Sequence, residues 1–266
     1  MLRWASPFLR TRGALRRIVT LHLARHTSPG SPTRQDVRTG TDASVHDRFL
    51  KVYGTLGPVA EPWNANIHYD RKLAAGVPAG ATSVLDVGCG DGFLAAQLAG
   101  RVPRVIALDI DADVLDRARA RFPEAKVTWR LGDVLTDPLE QETFDAVVSN
   151  ATLHHLPDTS AALHRLSRLV RPGGTLSIVE FTRTERRDLP WAMLAFVSLG
   201  IATRVRGKWE HTAPQTWPPP HTFRELRQTV GGVLPGARIS RLVMGRYLIR
   251  WHAPASHTTN DLATSD

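Results

Sequence analysis

Cysteine is nearly missing from this 266-residue chain, which carries Cys89 alone. An internal disulfide is therefore excluded, and the composition fits a reducing compartment. Lysine is scarce too: of 34 basic residues only Lys51, Lys72, Lys126 and Lys208 are not Arg. That bias suits a GC-rich, bacterial coding sequence. No apolar run reaches the roughly 20 residues of a membrane span. The longest, Leu189 to Thr203, contains Pro190 and Gly200 and is read as too short to cross a bilayer. Acids are absent from residues 1–35, which hold seven Arg. These residues contribute +7 to the formal net charge of +9, which taken whole would suggest a nucleic-acid partner. Residues 36–182 sum to −4, residues 183–250 to +8 and the remaining tail to −2. Attraction for anions belongs to the leader and the C-terminal lobe, not to the middle of the chain.

The leader, residues 1–44, runs from an Arg-rich stretch into Ser-Pro-Gly-Ser-Pro and a polar segment. It is read as a disordered basic extension of a bacterial cytoplasmic protein, with organellar import as the alternative.

What is present is a glycine turn. Ser83-Val-Leu-Asp-Val87 has the aliphatic run of a buried parallel strand, and Phe93 to Leu98 supplies the apolar face of a helix. Between them Gly88, Gly90 and Gly92 leave one side of the turn without Cβ atoms. Backbone can then approach a ligand above a helix N-terminus. Cys89, inside the turn and without a basic sequence neighbour, reads as a small filler rather than a nucleophile.

Strands and helical patterns then alternate. Arg104–Asp109 is a strand ending in an acid, and Asp111 caps a helix over Asp113–Arg121. Lys126–Arg130 is a third strand, followed by Gly132-Asp133-Val134. Phe144–Val148 is a fourth, leading to Ser149-Asn-Ala-Thr-Leu-His-His-Leu-Pro-Asp158. Asp158 caps a helix over Ser160–Val170, Pro172-Gly173-Gly174 ends it, and Thr175–Phe181 is a fifth strand. Thr222-Phe-Arg-Glu225 is a capping box. Ala237–Val243 and Arg246–Trp251 form a closing hairpin turned at Met244-Gly245. The pattern predicts an α/β fold: a Rossmann-like, doubly wound, mostly parallel seven-stranded sheet with an antiparallel C-terminal hairpin. It is not a dinucleotide fold, since that fingerprint wants glycine at position 93, which is Phe.

The strings VLDVGCGDG, VIALDID, LGDV, FDAVVSNATLHHLPD and LVRPGGTLSIVE, in this order, resemble the motifs of class I S-adenosylmethionine-dependent methyltransferases. They are similar to the small-molecule branch that includes the quinone-type enzymes, over residues 64–182. The end of the chain, from Trp209-Glu-His through Trp217-Pro-Pro-Pro-His221 to Tyr247 and Trp251, resembles a set of actinobacterial methyltransferases. The resemblance implies S-adenosylmethionine as methyl donor, a core over 45–182, a lid and closing hairpin over 183–252 and a flexible tail over 253–266.

Carried onto this chain residue by residue, the family pattern puts Gly88, Gly90 and Gly92 beside the methionine portion of the cofactor. Asp86 reaches its ammonium, and the Asn150 carbonyl contacts the same group. Asp109 takes the ribose hydroxyls, with Ile110 next to it, and Asp133 and Val134 take the adenine. His68 and Tyr69 are expected to cover the site, Tyr69 as a cofactor contact. His154 and His155 are the candidate general bases, with His155 slightly favoured. No metal ligands are assigned.

The acceptor is expected to be a small apolar or aromatic metabolite, methylated on O or N. Enzymes that methylate amino groups of nucleic-acid bases carry an Asn/Asp-Pro-Pro-aromatic motif after the fourth strand, where this chain has Asn150-Ala-Thr-Leu153. RNA, or a binding protein without turnover, are the alternatives. Trp191, Met193, Phe196, Trp209 and Trp217 supply apolar surface in the lid, beside Arg204, Arg206 and Lys208. Residues 189–208 are also a candidate for peripheral membrane contact.

Overall fold

The computed structural model describes residues 62–139, 143–207, 209 and 218–255. The leader 1–44, the core's first residues up to 61, Lys208, Trp217 and the tail from 256 onward lie outside the described residues.

Chain order is α1 (Ala65–Ala74), β1 (Ser83–Val87), α2 (Phe93–Ala99), β2 (Arg104–Asp109), α3 (Ala112–Arg121), β3 (Val127–Leu131) and β4 (Phe144–Asn150). After a short 3₁₀ turn, Leu153–His155, come α4 (Thr159–Arg168), β5 (Val170–Glu180), α5 (Leu189–Arg206), α6 (Phe223–Val233), β6 (Arg238–Leu242) and β7 (Arg246–His252). The seven strands form one sheet in the order β3-β2-β1-β4-β5-β7-β6. β1 to β5 pair in parallel, while β7 runs antiparallel to both β5 and β6. The winding reverses between β1 and β4, and such a switch point opens a crevice at the carboxyl ends of the strands.

Period-two alternation explains why these strands read as unbroken apolar runs. Leu85, Ile106, Leu108, Val147 and Ile249 enter one core, whereas Val84, Val105, Ala107, Val148 and Leu248 enter the other. Both faces are covered, so both side-chain sets are apolar. The expected caps are in place: Asp111 Oδ1 accepts from Asp113 N (2.9 Å) and Val114 N (3.2 Å), and Asp158 Oδ1 from Ser160 N (2.8 Å) and Ala161 N (3.0 Å). Thr222 and Glu225 form the reciprocal box at the start of α6.

Two features depart from expectation. β5 begins at Val170, not Thr175, because Val170 already pairs with Phe144; the register then shifts before Ala146 meets Thr175. Pro172-Gly173-Gly174 thus belongs to an irregular stretch of the strand, with Gly173 N donating to the Ala253 carbonyl.

The second departure is α5. The apolar run stops at Thr203, but the helix continues to Arg206, so Arg186–Arg206 is long and apolar enough to cross a membrane by length and composition. The expectation that it is too short does not hold. None of the residues of α5 is buried. It touches the body along one narrow stripe. Arg241 lies over the Trp191 ring (5.8 Å), Ser198 Oγ accepts from Met244 N (3.1 Å), and Ala202 packs on the core. Met193, Phe196, Ile201 and Val205 are exposed.

Candidate active site

A cavity of about 620 Å³ opens at the carboxyl ends of β1, β2, β4 and β5. Asp86, Gly88, Gly90, Asp109, Ile110, Asp133, Val134, Asn150, His154 and His155 all line it. Trp209 lines its rim, with its ring edge on Phe93 (5.4 Å) and its backbone N–H donated to the Trp63 carbonyl (2.8 Å).

The glycine turn has two different reasons for glycine. All three residues sit at positive φ, from 53° to 82°. A Cβ on Gly90 would meet nothing within 4 Å, so that backbone lies bare toward the cavity. At Gly88 a Cβ would stand 2.1 Å from Thr152 Oγ1, and at Gly92 2.6 Å from the Trp129 ring. Gly92 does not line the cavity, which corrects its placement beside a ligand; it caps α2 and lets Trp129 pack.

Asp109 holds this turn in place. Its Oδ2 accepts from Gly90 N (2.9 Å) and its Oδ1 from Asp111 N (3.1 Å), leaving each oxygen one lone pair for a diol. Asp133 Oδ1 accepts from Leu135 N (2.9 Å) in a side-chain turn, and its carboxylate still borders the cavity.

The electrostatic centre is a pair of acids. Asp86 is buried and its Oδ2 has no hydrogen-bond partner among the described residues. Burial, then the charges of Asp70 and Asp109, push its carboxyl well above the usual range. Asp70, on α1, is raised to about 7 by burial, against the opposing hydrogen bond from Asn150. Asn150 Nδ2 donates to Asp70 Oδ1 (2.7 Å) and to the Asn66 carbonyl (2.9 Å), while its own Oδ1 is buried and has no partner among the described residues. Two carboxylates and an orphaned amide oxygen make a place for a cation. Ala151, next in line, has φ 57°, a left-handed conformation that a non-glycine residue adopts at a cost of roughly 1–2 kcal/mol.

The histidines divide differently from expectation. His154 is buried, its Nδ1 lies 2.8 Å from Glu180 Oε1, and its backbone N–H donates to Glu180 Oε2 (3.1 Å). His155 is exposed, with its ring centroid 4.0 Å from that of His154. The His154 ring therefore turns inward. Both rings line the cavity.

Tyr69 needs correction. It is buried away from the cavity, and its hydroxyl donates to the Val243 carbonyl, tying α1 to the closing hairpin. Burial raises that phenol to about 12. His68, exposed, packs its edge on Trp63 and Tyr69 and does not line the cavity either. Burial pushes the Cys89 thiol up, which suits a filler rather than a nucleophile. Residues missed in the sequence are Asp70, Asn66, Glu180, Phe181 and Arg246. Asn66 and Asp70, four apart on α1, carried a readable signal: a polar pair on one face of the helix.

Residues 85–178 match the family described as methyltransferase domain. An uncharacterised methyltransferase of Mycobacterium tuberculosis (strain H37Rv) is 56% identical over 194 residues, spanning 73% of this chain and 98% of that protein. A 2-phytyl-1,4-naphtoquinone methyltransferase of Thermosynechococcus vestitus is 32% identical over 207 residues, 71% of this chain and 88% of that protein. Among solved structures, an N-methyltransferase from Bradyrhizobium japonicum WM9 has the same fold, with TM-score 0.50 and 17% identity over 71% of this chain and 94% of that one. Sheet order, glycine turn and these matches agree: the chain belongs to the class I S-adenosylmethionine-dependent methyltransferases.

Proposed function

We propose that the chain methylates a small apolar or aromatic molecule on O or N. In this reading S-adenosylmethionine lies along the glycine turn and the acceptor lies toward β5. The observation that carries the cofactor assignment is the pair of buried, unpartnered acceptors, Asp86 Oδ2 and Asn150 Oδ1, beside the bare backbone of Gly90. A ligand bringing an ammonium group to that corner supplies the missing donors. The residues present therefore fit the cofactor. Asp86, Asp70 and Asn150 hold the methionine end, Asp109 the ribose, and Asp133, Val134 and Ile110 the adenine.

When bound, S-adenosylmethionine supplies an electrophilic methyl on a sulfonium. The protein's work is alignment, and fixing the partners in line supplies roughly 7–11 kcal/mol of the barrier. For a hydroxyl acceptor His154 takes the proton. Its Nδ1–H is held by Glu180, so Nε2 is the basic nitrogen. An amine that is already neutral needs alignment only.

The apolar character of the acceptor is supported by Trp209, Phe181 and Leu156, which border the cavity. The name of the Thermosynechococcus relative, a naphtoquinone methyltransferase, points to the same class. α5, which ends beside Trp209, extends the proposal: its exposed apolar face rests on an anionic membrane surface, with Arg186, Arg187, Arg204 and Arg206 at its two ends to meet lipid headgroups.

Calorimetry with S-adenosylmethionine and S-adenosylhomocysteine tests the core of this reading; heat with both is expected, and silence with both sinks it. Incubation with methyl-labelled cofactor and a metabolite extract, followed by identification of the labelled product, names the acceptor.

A further inference from the structure

Beside the acidic corner the cavity also carries a charge of the opposite sign. Arg246, the first residue of β7, reaches the cavity beyond β5, its guanidinium 4.8 Å over the Phe181 ring. One of its five N–H groups is spent: Nη2 donates to Asn66 Oδ1 (3.0 Å). Its Nε–H is buried and has no partner among the described residues. Glu180, the acid whose charge acts on it, is committed elsewhere. Oε1 serves His154 Nδ1 and Phe181 N (both 2.8 Å), and Oε2 serves His154 N. Among the described residues no carboxylate pairs directly with Arg246, and burial pulls its guanidinium below the ordinary value.

A desolvated cation without an ion-pair partner is costly unless a ligand completes it. The planar fork of a guanidinium is matched best by a carboxylate. Phe181 beneath it offers a flat apolar floor, and Trp209 borders the same cavity. We infer that Arg246 is the anchor for a carboxylate on the acceptor, so that the substrate class is an apolar or aromatic acid held by its anionic end against β5 and β7. This inference rests on the methyltransferase reading of the same cavity and adds the charge of the acceptor to it.

The test is binding, not turnover. The full chain saturated with S-adenosylhomocysteine is titrated with 1-naphthoate and with 1-naphthamide, its neutral counterpart of the same shape. Naphthoate should bind about tenfold or more tightly, as a charge-assisted fork contact implies. Arg246→Met should abolish the preference and leave naphthamide affinity unchanged. Arg246→Lys, which keeps the charge but not the planar fork, should retain only part of it. Equal affinities in the wild type, or a naphthoate preference that survives Arg246→Met, overturn the inference. So does a third result: loss of S-adenosylhomocysteine binding in Arg246→Met with unchanged binding of 5′-methylthioadenosine, which lacks the amino-acid tail. The carboxylate held would then be the cofactor's own. In each of these failures the wild type still binds S-adenosylhomocysteine, so the methyltransferase reading stands apart from this one.

Discussion

Glu180 holds His154 twice, one oxygen on the ring Nδ1 at 2.8 Å and the other on the backbone N–H at 3.1 Å. The double contact fixes both the position of the residue and the tautomer of its ring. For a hydroxyl acceptor His154→Ala should lower kcat about 10²–10⁴-fold, and Glu180→Gln should reproduce much of the loss. His155→Ala should be mild. S-adenosylhomocysteine affinity, measured alongside, should barely move in any of them. Equal small effects on kcat throughout would assign catalysis to alignment alone.

Asp109 links the glycine turn to the start of α3 through Gly90 N and Asp111 N. Its removal would cost the proposed ribose contact and leave both backbone donors without this acceptor. Asp109→Ala should weaken S-adenosylhomocysteine by about 1.5–3 kcal/mol in calorimetry. An unchanged affinity moves the ribose contact to another residue.

Asp70, raised to about 7 by burial, should make cofactor binding pH-dependent if it faces the cofactor's ammonium as proposed. Below that value the carboxyl is protonated and offers no charge to an ammonium. Affinity should climb as pH rises through about 7 and then level off. Stability of the free protein runs the other way. The unfolded carboxyl titrates near 3.9, so between about 4 and 7 only the unfolded chain loses its proton, and stability falls as pH rises across that window. Asp70→Asn should flatten both profiles; a binding profile that keeps its shape in this variant assigns the titration elsewhere.

α5 gives a surface prediction. The chain should co-sediment with vesicles of anionic phosphatidylglycerol, less with neutral phosphatidylcholine, and more weakly as salt rises. Phe196→Glu with Ile201→Glu places charges on two exposed apolar positions and should abolish sedimentation while leaving S-adenosylhomocysteine binding intact. Equal pelleting with both lipids, or a double variant that still pellets, removes the membrane from the proposal.

Asp145 is a structural control at the opposite end of the strands. Its Oδ2 accepts from Thr82 N (2.6 Å) and Ser83 N (3.0 Å), and Arg171 pairs with its other oxygen. Asp145→Ala should destabilise by about 1–3 kcal/mol in denaturant melts, because it strands buried donors. Cofactor affinity should stay near wild type; a large drop would mean that the two ends of the sheet are coupled.

The parts of this molecule that were legible in sequence are those whose cause is local. A strand covered on both faces must be apolar at consecutive positions, and a helix cap sits two or three residues from the amides it serves. The bare turn shows itself as glycines for the same reason. What could not be read depends on register between distant segments. Pairing of Glu180 with Tyr247 sets Arg246 beside Phe181, and no local pattern near residue 246 marks it. The exchange of Tyr69 for Asp70 is a matter of helix phase: neighbours on a helix point about 100° apart, so one faces the hairpin and the next the cavity. The turn at Leu153–His155 likewise decides which histidine is swallowed, and its direction is set by Glu180 on another strand.

The interior position of β7 has a consequence during synthesis. Although it is the last strand among the described residues, it lies between β5 and β6. Until residue 252 has left the ribosome, β5 presents an open, apolar edge of the kind that pairs with other chains. The cavity's cation travels on the same strand. A nascent chain stopped at β6 therefore lacks both its edge cover and Arg246, and premature termination there should yield aggregate rather than a partly active enzyme.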